Sequence, residues 1–173
     1  TINLENVFVT EANLIVDEGE GFRHIESCLP QILLCLSAEA LGIMEVLNKL
    51  TVEYSKTRKQ FGAPIGSFQA LQHRMVDNFM AFEQSKSMVY RGICESTSFN
   101  KNDIDINQFL KTAHAVKALI AKNSKQIGDE SIQIHGGIGM TDELNIGHFV
   151  KRLMMINVLF GDGDFHRQCF SQN

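Results

Sequence analysis

The chain has 173 residues, of which 44% are hydrophobic and 21% charged, and it carries a formal net charge of −4. A chain of this length buries about 70% of its unfolded surface, so we expect one compact domain. The negative charge and the lack of a run of five basic residues argue against a nucleic-acid-binding protein. Because no uncharged apolar stretch of about 18 residues is found, we expect no membrane insertion.

The sequence predicts neither a disulfide framework nor a metal site. The four cysteines show no paired spacing, which favours reduced thiols in a cytoplasmic protein; they are Cys28, Cys35, Cys94 and Cys169. The Gly-Asp-Gly-Asp run at 161–164 lacks the later glutamate of a calcium loop. A di-iron bundle would need paired Glu-x-x-His motifs, and the sequence contains none.

The first residues have the pattern of β-structure. Apolar residues alternate at 2–4 and 7–9, which predicts a strand or hairpin within 1–16, and a polar, glycine-containing loop follows at 17–21. An isolated strand pair has no sheet to complete. We therefore expect a fragment of a longer protein, in which residues 1–21 end a preceding β-domain and residues 22–173 form a helical domain.

Apolar periodicity predicts long helices over about 22–58, 67–96 and 106–135, with a polar connector at 101–105. Pro30 should kink or restart the first helix near 28–29. The residues from Ile32 to Leu50 are apolar on almost every face, which predicts a helix buried between neighbours. Apolar stripes define the next two helices: Phe68, Leu71, Met75, Phe79 and Phe82 in the second, and Phe109, Ala113, Val116, Ile120, Ile127 and Ile134 in the third.

The last third of the chain predicts shorter helices. Gly136 and Gly137 should stop the third helix. In a fourth helix, Asp142 and Glu143 suit the positive end of the dipole, and the basic pair at 151–152 lies nearer the other end. A fifth helix begins near Asp162 and is not completed. The expected fold is an all-α, antiparallel four-helix bundle preceded by a short β-strand remnant.

Two segments about seventy residues apart have residues suited to binding a phosphate-bearing cofactor. The first is Arg58-Lys-Gln-Phe-Gly62, followed by 64–69, and the second is 133–139, Gln-Ile-His-Gly-Gly-Ile-Gly. A guanidinium forks onto a pyrophosphate, and glycines at a helix end expose backbone N–H groups. Spacing alone also fits a solvated arginine at a helix end and a plain glycine cap.

Both segments, in this order and at this spacing, resemble the C-terminal helical domain of flavin-dependent acyl-CoA dehydrogenases. The resemblance covers nearly the whole chain. It implies that Arg58, Phe61 and Gln69 contact FAD, and that Gln133, Gly136 and Gly137 reach an FAD bound mainly by a neighbouring subunit. It also implies an oligomer of homologous subunits, an acyl-CoA substrate and an acceptor resembling electron-transfer flavoprotein.

The family's catalytic glutamate is missing from this sequence. That resemblance aligns the usual position, in a Tyr-Glu-Gly-Thr-like turn, with Gly161, and the alternative position with Ile32. Glu39 lies two turns after Ile32 and is a weak candidate for the base, if burial raises its pKa. A structural glutamate, about 10 Å too far along the helix axis, is the competing interpretation. Asp162 and Asp164 are expected to be turn or N-cap residues.

The empty base position has a precedent in the family. The Phe-Gly-Asp-Gly-Asp turn at 160–164 resembles bacterial hetero-oligomeric dehydrogenases for sterol and related ring-bearing side chains, in which one of two homologous subunits carries the glutamate. The resemblance therefore implies α,β-dehydrogenation of acyl-CoA thioesters by an assembly in which this chain alone is inactive. A non-catalytic scaffold or partner subunit with the same fold is the alternative.

Overall fold

The computed structural model describes residues 2–101 and 103–172 and shows an all-α bundle, as predicted. In these residues the elements are α1 (Gly21–Thr57), β1 (Lys59–Gln60), β2 (Ala63–Pro64), α2 (Gln69–Asn100), α3 (Ile106–His135), α4 (Ile146–Val158) and α5 (Gly163–Gln172). The two strands pair as a small antiparallel hairpin. Helix α3 lies at the centre of the bundle and packs against the other four helices.

The apolar stripe predicted for α3 forms the middle of the core. All six of its residues are buried, and Phe109, Val116 and Ile120 are completely inaccessible to solvent. Asp105 caps the first turn by accepting a hydrogen bond from the Gln108 N–H at 2.8 Å. Helix α3 is thus defined by a periodic stripe and a side-chain cap, both of which can be read from sequence.

The apolar stripe predicted for α2 is only partly correct. Phe82 is buried, but Phe79 is 57% exposed and Phe68 is 37% exposed. Beside Phe82 and Val89, the face that packs against α1 and α3 carries small or polar residues: Asn78, Ala81, Ser85 and Gly92. Small side chains allow close approach between helices, so this face is poorly marked by hydrophobicity.

Helix α1 differs from its prediction in its burial. It is buried along one face only, since Ala38, Gly42 and Val46 are exposed, whereas the sequence predicted burial on almost every face. It runs through Pro30 without a restart, so a kink is the part of that prediction that stays open. The carbonyl that a proline deprives of a donor belongs to the residue four positions earlier, here the exposed Glu26, where water can replace the missing bond.

Helix α1 is apolar enough to be a candidate membrane-spanning helix, which the sequence analysis did not recognise. An 18-residue window of this helix has a mean hydropathy of 1.5, which by length and composition is sufficient for a membrane-crossing helix. In the structure 39% of that window is buried, and α1 contacts α3 and α2 along the core. Core helices of soluble proteins have the same composition, so the expectation of no membrane insertion stays a prediction.

Residues 2–16 form no strand in the described part of the chain, contrary to the prediction. They are exposed and contain a single 3₁₀ turn at Glu11–Asn13. An alternating pattern specifies a strand only when a partner strand supplies the ladder hydrogen bonds, and none is present among the described residues. The proposed boundary between residues 21 and 22 stays a prediction.

The later connections also refine the predictions. Lys101 and residues 103–105 connect α2 to α3, and Asn102 of the predicted connector lies outside the described residues. Helix α4 begins at Ile146, so Asp142 and Glu143 precede its first turn, and the basic pair at 151–152 falls in its middle. The acidic residues belong to the loop because the 3₁₀ turn Gly136–Met140 delays the start of α4. Helix α5 forms ten residues.

The closest approach between α1 and α2 occurs at a glycine. A Cβ at Gly92 would lie 2.4 Å from Leu34 Cδ2 and 3.3 Å from Val116 Cγ2.

We expect Gly92→Ala to lower the free energy of unfolding by about 1–3 kcal/mol, because the extra methyl overpacks the core. The matched control is Gly42→Ala on α1, where no atom lies within 4 Å. It should stabilise the helix by about 0.5–1 kcal/mol. Urea unfolding measures both, and equal effects would contradict this account of Gly92.

Candidate functional site

The first candidate segment forms a tight turn at the end of α1. Arg58 is the C-terminal cap of α1, and its carbonyl accepts a hydrogen bond from Ile65 N–H at 2.8 Å, which closes the hairpin. Phe61 and Gly62 both have positive φ, 54° and 81°, as a two-residue primed turn requires. The positive charge of Arg58 interacts favourably with the negative, C-terminal end of the α1 dipole. Its side chain forms no ion pair with any described residue, so its charge is available to an anion.

The aromatic residue of this turn is unusually open to solvent. Phe61 is 94% exposed, and its ring meets only the edge of Phe68, with centroids 6.2 Å apart. Gln69 is the first residue of α2 and is exposed beside this pair. A large apolar ring held outward by a left-handed backbone conformation is suited to covering a planar ligand.

The second segment ends α3. Gly136 has φ 67°, and its N–H donates to Ile132 O, so the glycine stops the helix as predicted. A Cβ built on Gly136 or on Gly137 meets no atom within 4 Å. Gln133, one turn earlier, is exposed. The backbone at this helix end is therefore open to close approach by another molecule.

A contact that the sequence analysis missed brings the two segments together. Tyr54, four residues before Arg58, stacks on His135, with ring centroids 4.3 Å apart. The Tyr54 hydroxyl also donates to the His135 carbonyl at 3.3 Å, and His135 Nδ1 lies 2.7 Å from Ser131 O. The only signal in the sequence was position, since each ring lies within one turn of a candidate segment. The ends of α1 and α3 therefore meet at the same end of the bundle.

A cleft of about 420 Å³ opens beside the stacked rings. Its wall is formed by the last turns of α1, the end of α3 and the loop before α4, and its lining includes Tyr54, Thr57, His135, Glu143 and Asn145. The cleft has both aromatic and polar lining groups, as small-molecule sites commonly do.

The turn between α4 and α5 contains the second region of interest. Phe160 and Gly161 have φ of 58° and 110°. A Cβ at Gly161 would lie 2.4 Å from Phe165 Cδ1 and 3.1 Å from His166 Nε2. The glycine is thus required by backbone conformation and by the rings beneath it. Asp162 caps α5 through its Oδ1, which accepts from Phe165 N–H at 2.8 Å, in agreement with the predicted N-cap role.

The candidate base on α1 has the wrong environment for that role. Glu39 is exposed and accepts two hydrogen bonds from Arg152, at 2.5 Å to Nε and 2.9 Å to Nη2. These bonds hold the pKa of the Glu39 carboxyl below its ordinary value. The condition that made Glu39 a weak candidate, burial with a raised pKa, is not met, and the pair with Arg152 of α4 supports the competing interpretation of a structural glutamate. Ile32 is half-buried and cannot accept a proton.

Beneath the α4–α5 turn lies a polar cluster that the sequence analysis did not identify. Lys117 is completely buried, and its Nζ donates to the carbonyls of Ile156 at 2.8 Å and Gly161 at 3.2 Å. His114 and His166 are buried beside it. The available signal was on α3, where His114 and Lys117 interrupt the apolar stripe at a spacing of three residues. Their partners come from distant parts of the chain, so the cluster itself could not be predicted.

Comparison with known proteins identifies the fold. Residues 19–173 match the family model described as acyl-CoA dehydrogenase, C-terminal domain. The chain is 30% identical over 163 residues to a mitochondrial 2-methylacyl-CoA dehydrogenase of Solanum tuberosum, covering 94% of this chain and 38% of that protein. It is also 30% identical over 167 residues to the probable acyl-CoA dehydrogenase YngJ of Bacillus subtilis strain 168, covering 96% and 42%.

The structural comparison agrees with the sequence matches. The structure of PigA with FAD and proline superimposes with a TM-score of 0.85 at 27% identity, covering 97% of this chain and 42% of that one. The chain therefore spans about two fifths of the length of these relatives. It belongs to the acyl-CoA dehydrogenase family, and residues 19–173 correspond to the family's C-terminal helical domain.

Proposed function

We propose that this chain is the FAD-contacting helical part of a flavin-dependent acyl-CoA dehydrogenase that oxidises the α,β-bond of acyl-CoA thioesters. The observation that supports this best is the stacked Tyr54–His135 contact, which brings the Arg58 turn and the Gly136–Gly137 turn to one end of the bundle. Family membership gives the reaction class, and PigA, a structural relative, has been solved with FAD.

The residues at this end of the bundle fit a flavin dinucleotide. Arg58 supplies a charge without an ion-pair partner among the described residues, and arginine matches a pyrophosphate by its planar fork. Phe61 offers an uncovered ring, and Gln69 and Gln133 offer exposed amides. Gly136 and Gly137 lack side chains, so another molecule can approach the backbone at the end of α3 closely. When bound, FAD would accept the hydride that leaves the substrate's β-carbon.

Because all these groups face outward, we propose that the cofactor lies between subunits. The partner is a homologous subunit, in a homo-oligomer or a hetero-oligomer with closed symmetry. We place the assembly in the cytoplasm, with an acceptor resembling electron-transfer flavoprotein. The substrate is an acyl-CoA thioester, and the resemblance of the 160–164 turn to dehydrogenases for ring-bearing side chains makes these a candidate substrate class beside simple acyl chains.

The second candidate function is that of a non-catalytic partner subunit or scaffold. The arrangement around Gly161 favours it, because the Phe165 and His166 rings occupy the space that a side chain at this position would need. The two candidates differ in whether the natural assembly holds flavin through this chain, and so flavin retention distinguishes them.

Substitution of Arg58 tests the proposal. In the full-length protein, co-expressed with its partner where one exists, Arg58→Ala should weaken flavin retention by about 1–3 kcal/mol, the scale of a lost charge-assisted contact. This corresponds to roughly 5- to 150-fold in the dissociation constant, measured by flavin fluorescence during dilution.

The matched control is Lys59→Ala, which removes the neighbouring exposed charge on β1. This variant should keep its flavin. A folded but colourless wild-type assembly would exclude the dehydrogenase proposal and favour the scaffold. Equal losses in the two variants would show that Arg58 contributes only general positive charge.

A further inference from the structure

Two buried histidines join α5 to α3. His114 Nδ1 and His166 Nδ1 lie 2.8 Å apart, and the rings are 4% and 0% exposed. A hydrogen bond between two imidazole nitrogens needs one donor and one acceptor, so one ring must carry its proton on Nδ1 and the other must not. The pair is therefore satisfied when both rings are neutral. Protonation of both rings would place two N–H donors against each other.

Helix α5 depends on this contact for its attachment to the bundle. His166 is the one buried residue in Gly163–Gln172, and α5 packs chiefly against α3. A helix of ten residues is marginal in water unless it is packed. Most helices of this kind are attached by aliphatic side chains. Here the residue buried at the contact is ionisable.

The surroundings of the pair are cationic. Lys117 of α3 is buried alongside and donates to carbonyls at the end of α4 and at Gly161. Also on α3, Lys111 lies over the Phe170 ring of α5 at 5.6 Å. The nearest carboxylate is Asp162, which raises the pKa of Lys117 but uses Oδ1 to cap α5. On α5 itself, Asp164 pairs with Arg167 at the surface.

We propose that the His114–His166 pair is an acid-sensitive lock, which holds α5 and the α4–α5 turn against α3 at neutral pH and releases them on acidification while the rest of the bundle stays folded. No carboxylate contacts either ring among the described residues, so a positive charge on the pair would be uncompensated. In addition, His166 Nε2 is buried without a hydrogen bond of good geometry, and the nearby backbone of Phe160 and Gly161 offsets only part of the cost of a charge on this ring.

The direction of the effect follows from the pKa values. Burial, then the charges of His114 and Lys117, lower the pKa of His166 to about 4, and burial lowers the pKa of His114. When α5 is released, the pKa of an exposed histidine is about 6.5. The released state therefore binds more protons between these values. The attached state of α5 is most stable above about pH 6.5. As the pH falls toward 4, the equilibrium between attached and released α5 shifts toward release, by up to roughly 300-fold from His166 alone.

Hydrogen exchange read by mass spectrometry tests the lock in the full-length protein. Between pH 7.5 and 4.5, after correction for intrinsic rates, amides in Gly163–Gln172 should lose at least tenfold in protection, whereas amides in the middle of α3 should not. His166→Leu should remove most of this difference. The matched control is His148→Gln, an exposed histidine of α4 beside Asp142, which should behave as the wild type.

Histidine titration by NMR tests the same proposal, and its measurement on the wild-type protein does not depend on the folding of a variant. Wild-type His166 should titrate near 4, and Lys117→Met should raise its pKa because a nearby cation is removed. Ordinary pKa values for both buried histidines would overturn the proposal. So would loss of protection in α3 and α5 together, or a pH dependence that persists in His166→Leu.

Discussion

A homo-oligomer of the full-length protein should dehydrogenate acyl-CoA thioesters about 10²- to 10⁴-fold more slowly than a relative that carries the glutamate. This is the usual cost of losing a general base. Abstraction of the α-proton requires a carboxylate within hydrogen-bond reach of the substrate. The resemblance aligns both base positions of the family with Gly161 and Ile32, and neither residue has an acceptor side chain. Glu39 accepts two hydrogen bonds from Arg152, which stabilise its ionised form and make it a weaker base.

Anaerobic bleaching of the flavin by acyl-CoA measures this directly. Glu39→Gln should leave the slow rate unchanged, and addition of a homologous subunit that carries the glutamate should restore bleaching at the mixed site. If the unmodified homo-oligomer bleaches at ordinary enzyme rates and Glu39→Gln abolishes this, Glu39 is the base and the present interpretation of Gly161 is wrong.

Gly161→Glu should destabilise the protein by about 2–5 kcal/mol, although it introduces the residue that the resemblance implies for that position. A non-glycine residue held in the left-handed region costs about 1–3 kcal/mol, and overpacking costs a similar amount. Gly161 has φ 110°, and its added Cβ would lie 2.4 Å from Phe165 Cδ1. Thermal unfolding should show a decrease of roughly 5–15 °C in Tm.

Two companion variants separate the causes of this loss. Gly161→Glu combined with Phe165→Ala should recover the part that is due to the ring clash, and bleaching activity is more informative in this double variant than in the single one. Gly42→Glu, at an exposed glycine of α1, controls for the added charge and should change Tm little. A Gly161→Glu protein as stable as the wild type would show that the turn readily rearranges.

The sequence was sufficient where a single local signal determined the structure. Helix α3 shows this best, because its stripe is strictly periodic, Asp105 marks its start and Gly136 marks its end. The tight turn after Arg58 likewise has a local origin, since Phe61 and Gly62 both adopt positive φ. Such features depend on residues within one or two turns of each other.

The remaining differences arise from contacts between distant segments. The buried face of α2 is built from small and polar residues around Ser85 and Gly92, whose burial depends on how closely α1 and α3 approach. The sequence also left two interpretations of Glu39 open, because its partner Arg152 is 113 residues away. The stacking of Tyr54 on His135 and the histidine pair on α5 likewise join segments whose contact has no local signal.

The length of α1 affects how the first residues can move. At about 1.5 Å per residue, its 37 residues extend roughly 55 Å, yet its first buried residue is Pro30. The eight residues 21–28 are all exposed, and Arg23 and His24 line an open groove with Ile106 at the start of α3. A segment of this length is only marginally stable as a helix when it is not buried. We therefore expect α1 to fray first in the two turns before Pro30, where its burial begins.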